Sequence, residues 1–373
     1  MAWTLYLRAP DLSRVAAIED YQTLECVSRY RDVGTWQLTL PAGTAHAAAL
    51  MQPRYGIVLV RDDTTVVFSG RVRQPQRQTT DTSDTLTVSG VDDNTVLANR
   101  VVHPQPTKAA PPYDSVEYDV RSGIASSVLM QYVNVNAGPG ALAPRREPGL
   151  VLGIDPLVGA QVTGRGRWQQ LLTLEQDLAV AGGVGWRVQQ TGGDRLEFQV
   201  WAPQDRSDEI LLSQELGNVA ELSYERAAPE LTYVYVGGSG EGTARVIREG
   251  QANPQGWDRA ERFVDRRDTA AADELNQEIR ATLVEGAEQT TLSVTPVDAG
   301  KHQYLRDYGL GDTVTVVPSP GERVTSVIRE VRTRLGPDSQ TVIPTISATS
   351  NGVLRIFDRL RQMSVRLRNL ERR

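Results

Sequence analysis

Strand-like runs separated by turn chemistry fill residues 3 to about 91, and a chain that begins this way has to build a sheet. The runs are Trp3 to Arg8, Thr23 to Arg31, Thr35 to Leu40, Tyr55 to Arg61, Val66 to Gln74 and Thr85 to Val91. Each mixes β-branched, aromatic and alternating apolar residues, the composition that suits a half-buried pleated surface. Asp32-Val33-Gly34 and Arg61-Asp62-Asp63-Thr64 supply two hairpin turns. Short helices are expected near Thr44 to Met51 and Asp92 to Asn99. Residues 1–100 therefore read as a small antiparallel barrel or sandwich.

The character changes after residue 101, where His103-Pro-Gln-Pro-Thr-Lys-Ala-Ala-Pro-Pro forms a stiff connector. Ser122 to Tyr132 and Gly166 to Ala181 follow with helical periodicity, and Leu171, Leu174 and Leu178 share one face of the second. Gly185 to Gln190 and Arg195 to Trp201 then form a hairpin around Thr191-Gly-Gly-Asp. Residues 101–216 are expected to be a mixed α+β insert. Strand character resumes over 217–237, most strongly at Leu231 to Val236, and a helix is expected over Asp268 to Glu285. Thr290 to Val297, Asp312 to Val317, Arg323 to Leu335 and Gln340 to Ser347 close the body as strands. A second barrel over 217–237 and 289–350, interrupted by a helical excursion at 238–288, fits this order, although no repeat of fixed period is present.

At 373 residues the chain is long enough for two to four cores. Its single cysteine, Cys26, excludes an internal disulfide and a cysteine cage for metal. The formal charge of −6 argues against a nucleic-acid binder. No apolar run approaches the roughly 18 residues of a spanning helix, so no membrane anchor is expected. The N-terminus alternates like a strand rather than opening a signal peptide, which places synthesis in a cytoplasm. His46, His103 and His302 lie far apart without metal-ligand spacing, and no nucleophile elbow, zinc-protease motif or P-loop occurs. The cluster Gly237-Gly-Ser-Gly-Glu-Gly242 is followed by the extended-looking Thr243 to Arg248, so it reads as a loop between strands rather than a phosphate cradle. Asp62-Asp63 and Asp92-Asp93 are expected in turns and helix caps, not as a catalytic acid pair. No cofactor, metal or catalytic residue is expected.

Residues 351–373 carry an apolar seam on a helical period. Val353, Leu360 and Leu367 hold one heptad position and Ile356, Met363 and Leu370 the other, with Leu354, Phe357 and Val365 widening the face. A lone helix this short is marginal in water and needs a partner. Seven arginines against Asp358 and Glu371 oppose close self-association, so docking on an acidic or apolar partner competes with a self-made bundle. Val353, Ile356, Phe357, Leu360, Met363, Leu367 and Leu370 are the candidate oligomer or partner-docking residues.

Several stretches, in order along the chain, resemble the tail-hub (minor tail) proteins of long-tailed bacteriophages, a family similar in fold to the baseplate hubs of contractile systems. They are Gly34-Thr-Trp-Gln-Leu-Thr-Leu-Pro, Phe68-Ser-Gly-Arg-Val, Leu86-Thr-Val-Ser-Gly-Val-Asp-Asp, Leu97-Ala-Asn-Arg-Val-Val, Tyr233-Val-Tyr-Val-Gly-Gly, Tyr308-Gly-Leu-Gly-Asp-Thr-Val-Thr-Val and Val342-Ile-Pro-Thr-Ile-Ser. The resemblance implies a mainly β fold of two tube-like antiparallel β-barrels with an inserted α+β domain, assembled as a homotrimer whose six barrels match a sixfold ring. It implies a structural virion component at the tail tip, not an enzyme. Such a hub joins the tail tube or distal tail ring to the host-contacting tip, meets the tape-measure protein, and forms a gated channel through which DNA passes. The chain stops soon after the second barrel, unlike long members of the family, so a separate tip or receptor-binding protein is expected at the C-terminal helix. The competing expectation is a carbohydrate-binding or cell-wall-degrading tail protein, for which Trp168, Trp186, Trp201 and Trp257 are the candidate sugar platforms. A further reading, an adaptor using its basic helix on nucleic acid or membranes, predicts strongly salt-dependent binding to anionic ligands.

Overall fold

The computed structural model describes residues 2–109, 115–252, 258–287, 289–296, 302–337 and 339–347. The seam at 351–373, with Val353, Ile356, Phe357, Leu360, Met363, Leu367 and Leu370, lies outside them. The chain divides into two compact units, one made of Met1–Ser223 and Ser293–Ile346, the other including Tyr224–Leu292.

The first unit begins with β1 (Trp3–Arg8), β2 (Arg14–Ala17), β3 (Thr23–Arg29), β4 (Thr35–Pro41), α1 (Ala45–Leu50), β5 (Gly56–Arg61), β6 (Thr65–Thr79), β7 (Asp84–Asp92) and α2 (Thr95–Ala98). The alternation foreseen in the sequence sets the inner face: Trp36, Leu38 and Leu40 of β4 are buried, as are Leu86 and Val88 of β7 and Leu24 and Cys26 of β3. Register joins them, since Leu38 lies opposite both Leu24 and Val88. Each fully buried leucine stabilises the fold by about 1.5–3 kcal/mol relative to exposure. β5 is buried along its whole length, as its continuous apolar run requires. The β5–β6 turn places Asp62 and Asp63 at φ 50° and 60°, the left-handed pair that a tight hairpin needs. β2, which the sequence reading leaves out, pairs with β1 at the edge.

The insert contributes β8 (Asp119–Ile124), α3 (Ala125–Asn136), β9 (Leu150–Leu152), β10 (Gln161–Gly166), α4 (Leu171–Gly182), β11 (Gly185–Thr191), β12 (Arg195–Trp201) and β13 (Leu211–Ser213). Leu171, Leu174 and Leu178 face a core shared with Leu129, Val133, Trp186 and Phe198. Gly183, at φ 70°, ends α4 in the left-handed conformation that favours glycine.

β14 (Val219–Ala227) leads to the second unit, which holds β15 (Tyr233–Gly237), β16 (Ile247–Gln251), β17 (Glu261–Asp265) and α5 (Ala272–Glu285). β15 lies between β16 and β17 in a sheet of three. Val234 and Val236 pack on Leu275 and Ile279 of α5. On the opposite face Tyr233 and Tyr235 stand 5.0 Å apart, Arg259 lies 3.8 Å over Tyr233 and Arg245 5.2 Å over Phe263. The run at Leu231 to Val236, expected in a second barrel, is thus placed in this small sheet, and the expected helical excursion contains two of its strands as well as α5.

β18 (Gln289–Pro296), β19 (Thr313–Ser319), β20 (Glu322–Leu335) and β21 (Gln340–Ser347) complete the chain. They do not form a separate body. β20 pairs with β3, Leu335 opposite Leu24, so one sheet of thirteen strands runs β14-β18-β21-β20-β3-β4-β7-β6-β5-β1-β2, with β19 and β13 branching from β20. The fold is mainly β. Among the described residues no pairing joins β14 to β2 to close this path into a barrel. Strand alternation predicts which residues share a face; it holds no information on which distant strands become neighbours.

Candidate functional site

The insert is seated on the first strands by a buried polar junction. Arg8 of β1 donates two parallel hydrogen bonds to Asp93, at 2.6 and 2.8 Å, with both side chains fully buried. Ser69 of β6 donates to the same carboxylate at 2.6 Å, and its oxygen accepts the backbone N–H of Gln190 in β11 at 2.9 Å. Gln190 donates in turn to the carbonyl of Leu12 at 2.6 Å. Asn94 ties in the next residue, accepting from the Val188 N–H at 2.7 Å. Burial alone would raise the Asp93 carboxyl, but the Arg8 charge and the hydrogen bonds from Arg8 and Ser69 outweigh it and hold it below the usual range. Asp92 is also buried and is pushed well above that range, chiefly by desolvation. The Asp92-Asp93 pair is therefore a structural core feature, which corrects the expectation of a solvent-facing turn or cap; Asn94 holds the cap position of α2.

This junction positions β11 and β12, whose far face lines a cleft. The cleft encloses about 550 Å³ between these strands and the loop 304–312. Arg187 of β11 donates through Nε to Oε1 of Gln199 at 2.8 Å and lies 5.6 Å over the Trp201 ring. Gln199 also donates to Glu197 at 3.1 Å, and Thr191 holds the other Glu197 oxygen at 2.9 Å. Gly185 faces Trp201 across the hairpin, and a Cβ at that position would collide with the indole. The bare backbone there makes room for the ring.

The loop that closes the cleft is held by Asp312, which accepts from the N–H groups of Gln204 and Gly309, each at 2.8 Å. Gly311, at φ 92°, lies against Tyr30 where a side chain would clash. Arg61 donates to the carbonyl of Tyr304. Burial raises the Tyr304 and Tyr308 phenols, so both remain protonated donors at neutral pH. Burial also lowers Arg187, partly offset by Tyr304 and Glu197. At the rim stands Ile154, 95% exposed. Among the described residues the lining contains no serine, threonine, cysteine, lysine or histidine. Its guanidinium, phenol, carboxylate and indole groups suit ionic and hydrogen-bonded recognition.

The other sequence candidates are dispersed. The glycine cluster after β15 leads through a single 3-10 turn at Gly242–Ala244 into β16, the strand–loop–strand order expected for it. His46 lies 3.3 Å from Asp20, and His103 packs edge-on to Trp168 at 4.9 Å. Of the candidate sugar platforms, Trp186 is fully buried, Trp168 is 41% exposed, Trp201 lies in the cleft, and Trp257 falls outside the described residues. Sequence reading missed Arg8 and Arg187, and it took Asp93 for a turn or cap residue. Each is a charge inside or beside a strand, and only the sheet register shows which face it takes.

Three tail proteins are among the solved structures that share this fold. The 43 kDa tail protein of prophage MuSo2 from Shewanella oneidensis superposes with a TM-score of 0.60 at 10% identity, covering 92% of this chain and 98% of its own. The prophage tail protein gp18 of Listeria monocytogenes gives 0.58 at 13% identity, covering 96% and 98%. A tail protein from Neisseria meningitidis gives 0.58 at 12% identity, covering 93% and 97%. No curated protein sequence matches the chain. Residues 4–346 match the family model described as siphovirus ReqiPepy6 Gp37-like protein, and with nearly the whole body covered the chain belongs to that family.

Proposed function

We propose that this siphovirus tail protein is a structural hub at the tail tip. Three copies form a ring that joins the sixfold tail tube or distal tail ring to the host-contacting tip and surrounds a gated path for DNA. The observation that carries the reading is the family match over residues 4–346, supported by a fold shared with three tail proteins, two of them from prophages, at more than nine-tenths coverage of both chains. In this reading the strands before the insert and those after it act as two tube-like halves of each subunit, so that three chains meet six positions of the tail. The tape-measure protein ends inside the ring. The seam from Val353 to Leu370 extends below it as the attachment point for a tip or receptor-binding protein.

The native mass of the purified chain, alone and mixed with the distal tail protein, tests this. Three copies engaging a sixfold ring is the expected result; a monomer that persists at high concentration refutes it. Removal of residues 351–373 is expected to spare the ring and abolish binding of the tip protein. The alternative, a carbohydrate-binding or wall-degrading tail protein, rests on Trp168 and Trp201, the two described platforms that are not buried in the core, and predicts glycan affinity or wall hydrolysis by the purified chain.

A further inference from the structure

We propose that the cleft between β12 and the loop 304–312 binds an acidic peptide segment of a partner protein, with a carboxylate side chain seated on Arg187 and apolar neighbours against Ile154. Three arginines line this cleft, and two are already neutralised. Arg206 donates to Glu209 at 2.8 Å and lies 3.6 Å from Asp312, and Arg306 pairs with Asp307 at 2.6 Å. Arg187 has no carboxylate within ion-pair distance among the described residues, and its only protein hydrogen bond there is the one from Nε to Gln199. The fork of terminal nitrogens is left for something else. Gln199 and the Trp201 face fix that fork in place before any ligand arrives, which reduces the ordering cost of binding.

The shape and charge of the surroundings select the ligand. Asp307 and Asp312 are matched by Arg306 and Arg206, which leaves Glu197 as the unmatched carboxylate of the lining, so a doubly charged phosphate meets more repulsion there than a single carboxylate seated on Arg187. The cleft is several times larger than one carboxylate, which leaves room for the residues on either side. One side of the rim carries an apolar side chain on a firmly held loop: Ile154 belongs to a loop pinned by Asp155, which accepts from Ser126 and Ser127 at 2.6 and 2.5 Å and from the Leu157 N–H at 3.0 Å. Leu157, 64% exposed, sits at φ 54° on the same loop. Ile154 on a loop so firmly held offers the residues beside the carboxylate a fixed apolar surface. Desolvation of Arg187 acts in the same sense, because a bound carboxylate would restore the favourable environment that burial removes.

An array of pentapeptides with central glutamate and flanking leucine or isoleucine, each beside its glutamine counterpart, tests the proposal with the full chain as probe. The best glutamate peptide is then titrated by fluorescence anisotropy. Glutamate peptides are expected to bind about tenfold or more tightly than their glutamine counterparts, the range of one charge-assisted bond. R187Q should erase that discrimination and R187K should keep part of it. I154S should weaken both peptides by a similar factor while preserving the discrimination. Equal retention of glutamate and glutamine peptides by the wild-type chain overturns the proposal, as does binding of none. Inorganic phosphate displacing the peptide at lower concentration than acetate overturns it in favour of a free anion. None of these outcomes depends on the trimer, so failure here leaves the hub reading intact.

Discussion

Replacing Arg8 with methionine would leave Asp93 as a fully buried carboxylate with Ser69 as its remaining side-chain donor. The pair has no solvent exposure and two bonds of 2.6 and 2.8 Å, so its loss exposes the full desolvation penalty of the abandoned charge. Breaking such a pair from one side costs about 3–5 kcal/mol. The double substitution R8M/D93L removes both charges and leaves only neutral groups short of a partner, the Ser69 O–H and the Gln190 Oε1 that Arg8 reaches at 3.4 Å, and replacing both members of a buried pair by apolar residues is often close to neutral. The double variant should therefore be more stable than R8M. Two compact units make a single global unfolding transition unsafe to assume, so the measurement is amide hydrogen exchange of β1, β7 and β11, read beside the fluorescence of buried Trp36 and Trp186. The pH dependence has a definite sign. Asp93 is held low in the folded chain, so its contribution is present above the unfolded carboxyl pKa and is lost as pH falls through the folded value. In R8M that carboxyl rises, and the deficit relative to wild type should be largest at neutral pH and shrink on acidification. A cost for R8M below about 1 kcal/mol, or a double variant as unstable as the two single costs added together, would refute the reasoning.

Glu175, fully buried in α4, has no hydrogen-bond partner for either carboxyl oxygen among the described residues, and desolvation raises it well above its ordinary range. Because the folded value is the higher one, stability is greatest below the unfolded pKa and declines as pH rises; E175Q should flatten that decline and gain most over wild type in alkaline melts. Gly90 lies where a Cβ would strike Trp36 and the Arg71 carbonyl, so G90V should cost about 1–3 kcal/mol by overpacking. G43A, with open space around it, should change the melting temperature little, and a large loss there would count against the open surroundings of this turn between β4 and α1.

The local structure was legible where burial alternates. Trp3 to Arg8, Thr35 to Leu40 and Thr85 to Val91 reappear as β1, β4 and β7 within a residue at each end, because one face of each meets the core. Leu275 and Ile279 likewise mark the buried stripe of α5. What the sequence hides is nonlocal. The pairing of β20 with β3, the departure of β15 into its own sheet and the meeting of Arg8 with Asp93 each join residues whose own neighbourhoods contain no sign of the partner. The cleft is hidden for the same reason. Arg187 reads as an ordinary polar position in a hairpin until the loop 304–312 arrives opposite it.

The union of β20 with β3 also imposes a timetable on synthesis. Arg29 and Glu330, paired across these strands, are 301 residues apart. At about 5–20 residues per second the ribosome needs roughly 15–60 s to deliver the second after the first. Through that interval β3 can pair with β4 on one side only, and its other edge offers open backbone groups to any extended segment nearby. The nascent chain is thus most vulnerable to wrong strand partners late in translation, when its first strands are already folded and their last neighbour has yet to emerge.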